Sequence, residues 1–407
     1  MIAARRRCWY SRLIAGMLGI FALASSLSAW ADVDRQFELS LQGQFFPGIH
    51  SGSSDVREQF FAGLEAEFTS DFDSDHLIGT FLPYGRIAST GGEMNHADIR
   101  ELNLLYTADN WEAIGGISRV FWGVTESGHL VDIINQTDRL EGFDGEDKLG
   151  QTMVRASRLF DQSVLDLYVL PGFRERAFLP SDQPLALPFP IEDGKALYGA
   201  RNGQQHVDLA ARFSGYRGII DYGLSWFNGT SRDPEFIAQS NGTFRPRYPL
   251  INQWGLDLQL TRDSWLWKLE AIHRAFETDA LTSDFSAGIS GAEYTMYELA
   301  NSLFDLGLLA EWHVDSRDDR ATVPLQNDLF AGIRASFNDT QSSEFLAGVF
   351  SDLDDSSSSF RLEASRRVLG DARITLEAQS FIDVDPNNAI SYLQDSDFIV
   401  LSLQLFF

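Results

Sequence analysis

The sequence predicts an all-β protein, a transmembrane antiparallel up-and-down β-barrel of about 18 strands, with 16 or 14 strands as open alternatives. Three observations predict this fold class. Segments of about ten residues with alternating apolar and polar side chains repeat along the chain. Short connections between these segments alternate with long ones. The last alternating segment ends in a phenylalanine at the carboxyl terminus.

Residues 1–31 have the pattern of an export signal that is cleaved after Ala31. Arginines precede an apolar run over 13–27, which is too short for a spanning helix, and a small-x-small pattern ends at Ala31. The mature barrel domain is then 32–407. Because the only cysteine, Cys8, leaves with the signal, we expect neither a disulfide nor a thiolate metal site.

Alternation assigns neighbouring side chains of each predicted strand to opposite faces. In residues 304–315, the apolar Leu308 and Trp312 alternate with Glu311 and His313. Ions that face lipid would cost roughly 2–4 kcal/mol each near mid-membrane, so we assign the polar face to a wet interior. The predicted strands are 36–46, 57–69, 77–89, 97–107, 111–122, 151–160, 163–173, 206–215, 218–228, 252–262, 265–277, 287–298, 304–315, 328–337, 343–352, 359–368, 372–383 and 398–407.

The connections alternate in length around the whole chain, as in an outer-membrane barrel with short periplasmic turns and long external loops. Short connections follow even-numbered strands, at 108–110, 161–162, 216–217, 263–264 and 370–371. Long connections follow odd-numbered strands, at 123–150, 174–205, 229–251, 316–327 and 384–397. Topology therefore predicts that the long loops lie outside the cell.

The ends of the strands carry two further signals. Leu403, Leu405 and Phe407 lie on one face of the last strand, and this ending resembles the signal that outer-membrane proteins present to the barrel-assembly machinery. Tryptophans near strand ends predict aromatic girdles at the membrane interfaces. They are Trp111, Trp122, Trp226, Trp254, Trp265, Trp267 and Trp312.

Composition excludes other classes of protein. The 407 residues include 32 Lys+Arg and 58 Asp+Glu, and a net charge of −26 argues against a nucleic-acid binder. The 44% hydrophobic and 22% charged residues exclude a disordered chain. Outside the N-terminus there is no apolar run long enough for a spanning helix, which excludes a helical membrane protein.

The polar face of the strands gives a set of candidate pore-lining residues. A barrel of this size leaves an aqueous channel unless something plugs it. With Glu101 and Asp208 included, the polar face has ten acids and seven bases and is nearly balanced in charge, so ion ladders that only stiffen the wall are the alternative role. The candidates are Glu65, Glu67, Arg212, Asp257, Lys268, Glu270, Arg274, Glu311, His313, Asp315, Arg334, Arg361, Glu363, Arg367, Arg373 and Glu377.

Two loops are long enough to enter the pore. Residues 123–150 are rich in acids and contain the apolar stretch 130–134, which would pack against the inner wall. In general porins the third loop commonly folds inward, and by that resemblance 123–150 is the constriction candidate; an external loop with a short helix is the alternative. Loop 174–205 is stiffened by four prolines, and a lid, a plug and a surface cap all remain open for it. The candidate constriction residues are Glu126, Asp132, Asn135, Asp138, Arg139 and Glu141.

The sequence contains no motif for catalysis, a cofactor or a metal. The seven histidines form no His-Glu-x-x-His pattern, and there is no nucleophile elbow or phosphate-binding glycine loop. His313 beside Glu311 and Asp315 is the best group for an enzyme at the barrel rim, but a lumenal histidine in an ion ladder explains it better. We therefore predict a protein that is not an enzyme.

Loop alternation and the terminal Phe407 resemble large bacterial porins over the whole mature chain. The count of about 18 strands resembles the alginate-export and substrate-specific porin classes. The segments 119–123 (Arg-Val-Phe-Trp-Gly) and 132–138 are similar to a Trp-Gly … Asn-x-x-Asp segment in proteobacterial barrels of that type. The alginate exporter would imply a strongly basic lumen, whereas this predicted wall is mixed and lies under acidic loops.

The predicted function is a passive outer-membrane channel for small hydrophilic solutes, neutral or cationic, in a Gram-negative bacterium. Export of a polysaccharide or other polymer, and a plugged structural barrel without transport, are the alternatives. Expected partners are outer-membrane lipid, lipopolysaccharide and the barrel-assembly machinery, with no nucleic acid. The sequence leaves the oligomeric state open, a homo-oligomer included.

Overall fold

A computed structural model describes residues 33–48, 56–72, 76–277, 280–318, 321, 323 and 325–407. The predicted signal, 1–31, lies outside the described residues. Among the residues that the structure describes, no helix is long and apolar enough to cross a membrane.

Eighteen strands form one antiparallel sheet in which each strand pairs with the next barrel strand along the chain. Period-2 alternation without helical spacing is the local cause of these strands. Their bounds are β1 Val33–Phe45, β2 Glu58–Asp71, β3 Leu77–Ala88, β4 His96–Ala108, β5 Trp111–Ser118, β6 Gln151–Leu159, β7 Ser163–Pro171, β9 Val207–Arg217, β10 Ile220–Thr230, β13 Leu250–Arg262, β14 Trp265–Phe276, β15 Phe285–Met296, β16 Asp305–Asp315, β17 Asn327–Ser336, β18 Glu344–Asp352, β19 Ser358–Val368, β20 Ala372–Ile382 and β21 Phe398–Phe406.

The sheet closes because β1 pairs with β21 in antiparallel register, from Glu38 opposite Phe406 to Phe45 opposite Ile399. Beyond the strand, Phe407 N donates a hydrogen bond to the Phe37 carbonyl at 3.0 Å. Closure leaves no unpaired sheet edge, which a spanning β-structure requires. The predicted count of eighteen and the all-β class are therefore confirmed.

The two faces of the wall differ as the alternation predicts. On the outer face, Trp254 is 60% exposed and Leu308 is 47% exposed. On the inner face, Asp257 is 3% exposed and Glu311 is 2% exposed. The apolar outer face suits lipid, and most of the predicted girdle tryptophans lie on it.

Trp122 is an exception, and its assignment to a girdle was wrong. The predicted strand 111–122 ends at Ser118, because the chain then leaves the wall and turns into the barrel. Trp122 is 3% exposed, lies edge-on to Tyr168 and packs in a buried cluster on the inner face.

A β-bulge interrupts the pairing of β3 with β4. Leu82 is opposite Glu101, but the next residue, Pro83, is opposite Ile99, so Arg100 is the extra residue. Proline has no N–H for the ladder, which fits a bulge at this point. Strict alternation from Glu101 would send His96 to the outer face; the bulge brings it to the inner face, opposite Arg86.

One glycine is needed for the pairing of β5 with β4. Gly116 has φ of +138°, and a Cβ at this position would lie 2.2 Å from the Leu102 carbonyl oxygen. Only glycine adopts this conformation without strain and permits such a close approach.

Long connections at one end of the barrel form a second, three-stranded sheet. It consists of β8 (Leu197–Tyr198), β11 (Glu235–Ala238) and β12 (Phe244–Tyr248). By the topology rule for outer-membrane barrels, this end is external. The second long loop, for which the sequence allows a lid, a plug or a surface cap, contributes β8 to this sheet.

Candidate functional site

The segment between β5 and β6, residues 119–150, lies inside the barrel; we call it the lumen loop. Asn135 ties its base together. The Asn135 Oδ1 accepts a hydrogen bond from Val120 N at 2.9 Å, and its Nδ2 donates to the carbonyls of Ser118 (2.9 Å) and Leu149 (2.8 Å). Because Asn135 is 2% exposed, water does not compete for these bonds, and the loop has a fixed entry and exit.

An apolar patch holds the middle of the lumen loop against the wall. Val131, Ile133 and Ile134 are buried with inward-facing residues such as Phe227 and Ile251. This is the apolar stretch for which the sequence predicted wall packing. Because these residues pack against the inner wall, the loop follows the inward path. The described part of the loop contains no helix, unlike the external alternative.

Two wall carboxylates bind the backbone of the loop. Glu270 is fully buried and accepts hydrogen bonds from Val124 N (2.7 Å), Thr125 N (3.1 Å) and Val131 N (3.2 Å). Thr125 Oγ1 also donates to it, at 2.8 Å. Hydrogen bonds to a charged acceptor are stronger than neutral ones, so Glu270 acts as a clamp on residues 124–131.

Glu311 forms the second clamp. Its carboxylate accepts hydrogen bonds from Glu126 N and Ser127 N, each at 2.8 Å, and from Ser127 Oγ at 2.5 Å. His313 Nε2 lies 2.7 Å from the same Ser127 Oγ. The Ser127 hydroxyl has one hydrogen, and it is donated in the hydrogen bond to Glu311. His313 Nε2 must therefore donate its own hydrogen to Ser127 Oγ, and it cannot act as a general base for this serine. This arrangement clamps a loop and is not a Ser-His nucleophile.

Charged side chains of the lumen loop reach bases on separated strands. Glu126 pairs with Arg334 on β17 at 2.5 Å and lies 3.8 Å from Lys268 on β14. Asp144 pairs with Arg361 on β19 at 3.1 Å. The loop therefore bridges the interior from one side of the barrel to the other.

The loop also contacts β3 and β4. Glu141 accepts hydrogen bonds from Tyr84 OH at 2.6 Å and from Arg86 Nη1 at 3.1 Å. Asp138 Oδ2 lies 2.9 Å from His96 Nε2. The side chains of Asp138 and Glu141 are 3% and 9% exposed, so the clamp on this side is dry.

His129 closes the tip of the loop. Its Nε2 lies 2.9 Å from Glu146, and its Nδ1 lies 3.8 Å from Glu270. Burial alone would lower the pKa of His129, but hydrogen bonds with these two carboxylates outweigh it and raise the pKa to about 9. The imidazole is therefore charged at neutral pH and adds an ion pair to the Glu270 clamp.

Other predicted site residues pair within the wall or with further loops. Arg212 on β9 binds Asp257 on β13 through two hydrogen bonds, at 2.7 and 2.8 Å, across the intervening strand β10. Four of the remaining residues form ion pairs: Glu65 with Arg100, Arg274 with Asp233, Asp315 with Arg317, and Asp132 with Lys148. Arg139 donates a hydrogen bond to the Phe143 carbonyl. In the strand register, Glu67 lies opposite Gln36, and Arg367 lies opposite Arg373.

Sequence reasoning missed several residues that hold the loops. Arg86 has the inward parity of β3 and could have been included by the alternation rule. His96 and Arg100 could not, because the bulge breaks the alternation there. Arg232, on a connection outside the strands, binds Asp208 at 2.6 Å and the Ile134 carbonyl at 2.9 Å, and no strand pattern marks it.

A cavity of about 1210 Å³ lies between the lumen loop, the inner wall and the second long loop. Its floor on the loop side is residues 139–144, and residues 178–191 line its external side. Aromatic rings face it from the wall and from the loops. They include Phe46, Phe61, Phe143, Phe178, Phe189 and Phe236.

Carboxylates outnumber bases in the part of this cavity around Arg361. Arg361 is shared by Asp144, at 3.1 Å, and Glu363. Glu377 lies directly opposite Glu363 on β20 and lines the same cavity. Three carboxylates and one guanidinium leave net negative charge on this surface.

A closed antiparallel barrel with an apolar outer wall and a charged interior crossed by a loop is a porin-like outer-membrane β-barrel. It belongs in the outer membrane of a Gram-negative bacterium. No protein-family model and no curated protein matches the chain.

Solved barrels are similar to this chain in fold. OccK2 (OpdF) of Pseudomonas aeruginosa has a TM-score of 0.55 and 13% identity, over 92% of this chain and 97% of that one. A BenF-like porin of Pseudomonas fluorescens Pf-5 has a TM-score of 0.54 and 10% identity, over 93% and 98%. Wzi of Escherichia coli, a carbohydrate-binding β-barrel involved in group 1 capsule assembly, has a TM-score of 0.52 and 10% identity, over 94% and 86%.

Proposed function

We propose that the protein is a passive channel for small hydrophilic solutes, neutral or cationic. The observation that carries this proposal is the cavity beside the lumen loop, where Asp144 and Glu363 share one base, Arg361, and Glu377 lies opposite Glu363. A solute would cross between the loop and the strands β19–β21. Similarity to a BenF-like porin supports the channel class.

Two physical effects would select the solute. The lumen loop limits size, because its clamps hold residues 124–131 and 138–144 on opposite sides of the interior. The uncompensated carboxylates raise the local concentration of cations and repel anions. Neither effect requires an energy source, so flow follows the concentration gradient.

A polysaccharide exporter is the second candidate. Aromatic rings such as Phe178 and Phe189 in the cavity, together with the similarity to the carbohydrate-binding Wzi, favour it. Against it, the lumen loop bridges the interior, and an extended polymer would have to displace the Glu270 and Glu311 clamps. We also propose that the barrel is not an enzyme, since the Ser127 and His313 pair lacks a free base.

Planar-bilayer recording tests the proposal. Residues 32–407 are refolded and recorded under a salt gradient, and the reversal potential gives the ion preference. We expect steady conductance with a cation preference in the wild type. The double variant Glu363→Gln and Glu377→Gln should lose much of that preference while it continues to conduct.

Asp371→Asn is the matched control, because Asp371 is an exposed acid in a short turn at the opposite end. It should leave the ion preference unchanged. A folded, heat-modifiable barrel that conducts nothing would contradict the channel and leave the exporter or the plugged barrel. Conductance without a cation preference would contradict the electrostatic filter alone.

A further inference from the structure

We propose that His96, Asp138 and Glu141 form a binding site for a divalent transition-metal ion of the Zn²⁺ type, at the junction of the lumen loop and β4. The site would fasten the loop to the wall. It is independent of the proposed transport function, because binding is measured on the folded barrel without any solute flow.

The geometry places three ligand atoms around one point. One ligand atom from each of His96, Asp138 and Glu141 lies within 4.8 Å of the other two, and His96 Nε2 lies 2.9 Å from Asp138 Oδ2. Ligands on a tetrahedral Zn²⁺ with bonds of about 2.0–2.2 Å lie roughly 3.3 Å apart. The separation of His96 from Asp138 is close to that value and the other separations are at most 4.8 Å, so side-chain rotations would place an ion between the three groups.

Burial and an orphaned oxygen point to a missing ligand. The side chain of Glu141 is 9% exposed, and its Oε2 accepts both hydrogen bonds, from Tyr84 and Arg86. Its Oε1 is buried and has no hydrogen-bond partner among the residues that the structure describes. A buried carboxylate oxygen without a partner is costly, and a bound cation would supply one.

The surrounding charge is negative. Asp138 and Glu141 lie near two fixed positive charges, Arg86, which pairs with Glu141, and Arg100, which pairs with Glu65. Three carboxylates against two guanidinium groups leave net negative charge here, which a divalent cation would compensate.

The donor set selects the class of metal. An imidazole nitrogen with two carboxylate oxygens suits Zn²⁺ and its neighbours in the first transition row, whereas Mg²⁺ and Ca²⁺ prefer oxygen ligands alone. Tyr84 and Arg86 would orient Glu141 through their hydrogen bonds to it, as the outer hydrogen-bond partners of metal ligands commonly do. The positive charge of Arg86 weakens the field at the site, so we expect a reversible site and not a structural one of very high affinity.

The bulge in β4 is what makes the site available. It turns His96 inward, opposite Arg86, while Asp138 and Glu141 come from the far end of the lumen loop. The ligands are separated in sequence by the whole of β4, β5 and half of the loop, which is why no motif spacing reveals them.

Isothermal titration of the refolded, untagged 32–407 barrel with ZnCl₂ tests the proposal. We expect one saturable Zn²⁺ per barrel and much weaker binding of Mg²⁺. His96→Gln and Glu141→Gln should each weaken Zn²⁺ binding by at least roughly ten-fold. His206→Gln is the matched control: His206 also lies 2.8 Å from an aspartate, Asp208, but the described part of the chain offers it no third ligand, so its loss should leave Zn²⁺ binding unchanged.

Heat-modifiable migration in gels shows that each variant is folded before titration. X-ray absorption of the zinc-loaded wild type should show one nitrogen ligand among oxygens, and His96→Gln should lose it. The proposal is overturned by a folded wild type without saturable Zn²⁺ binding, or by equal affinity in wild type and His96→Gln.

Discussion

Single carboxylates decide where the lumen loop lies. The sequence predicts Glu270 and Glu311 as pore-lining residues, with an ion ladder along the wall as the alternative, and the structure shows them binding backbone N–H groups of residues 124–131. Alternation predicts that these two acids face the lumen. It cannot predict what they bind, because backbone N–H donors are present in nearly every residue and no sequence pattern distinguishes them. The clamp is a residue-scale property that only the fold reveals.

Replacing Glu270 with glutamine should loosen the loop without opening the barrel. Gln presents an amide NH₂ to donors that need an acceptor, so buried N–H groups lose partners. We expect a loss of about 1–3 kcal/mol in the free energy of unfolding and a larger, noisier single-channel conductance. Urea-dependent unfolding and bilayer recording measure the two effects.

Glu112→Gln is the control for this prediction, because Glu112 also meets a base, Arg155 at 3.6 Å, but holds no loop. Its effect on unfolding should be within about 0.5 kcal/mol. If Glu270→Gln behaves like Glu112→Gln in both measurements, Glu270 is not a clamp.

At the scale of the strands, sequence pattern and structure agree closely. All eighteen predicted strands are present, since alternation, turn residues and loop lengths are local properties of the chain. Prediction failed where an element departs from regular geometry. The bulge at Arg100 places His96 and Asp98 on the inner face, where strict alternation from Glu101 would not put them, and the chain leaves the wall at Ser118 before the predicted strand end. The contacts of the lumen loop join residues far apart in sequence, and no local pattern encodes them.

Phe407→Ala tests the predicted assembly signal of the last strand. The Phe407 ring is 70% exposed, while the backbone pairs with Phe37, so truncation removes the ring and keeps the closing hydrogen bonds. We expect the free energy of unfolding of the refolded barrel to change by less than about 0.5 kcal/mol. The amount of assembled, heat-modifiable barrel in cells should nevertheless fall several-fold.

Leu369→Ala is its control, because Leu369 is an exposed apolar residue in the short turn after β19, at the same end of the barrel. Assembly in cells should be normal for this variant. Equal assembly of both variants would show that the Phe407 ring is not read during insertion.

For the molecule as a whole, the distribution of charge should make ion selectivity depend on pH. Burial raises the pKa of Asp147 to about 6, so this carboxylate is ionised at pH 7 and protonated at pH 5. Protonation removes negative charge from the lumen, so the cation preference should fall as the pH drops from 7 to 5. Reversal potentials measured at the two values check the sign.

Asp147→Asn should reduce that fall, and its selectivity at pH 7 should lie nearer to that of the wild type at pH 5. The charges of Arg100, Asp138, Glu141 and Asp144 also affect the pKa of Asp147. These four residues are left unchanged in this test, because replacing them would shift that pKa. A cation preference that stays constant, or rises, between pH 7 and pH 5 would contradict the prediction.

The seam between β1 and β21 also governs how this chain can fold. The pairing of Glu38 with Phe406 joins the two ends of the chain, and Phe407 adds the final bonds. Contacts of such sequence separation are the slowest to form, and none of them exists until β21 has been synthesised and can reach β1. Every unclosed intermediate exposes strand edges that can aggregate. The exported polypeptide must therefore be kept soluble in an incomplete state, and its closure into a ring is a single late event.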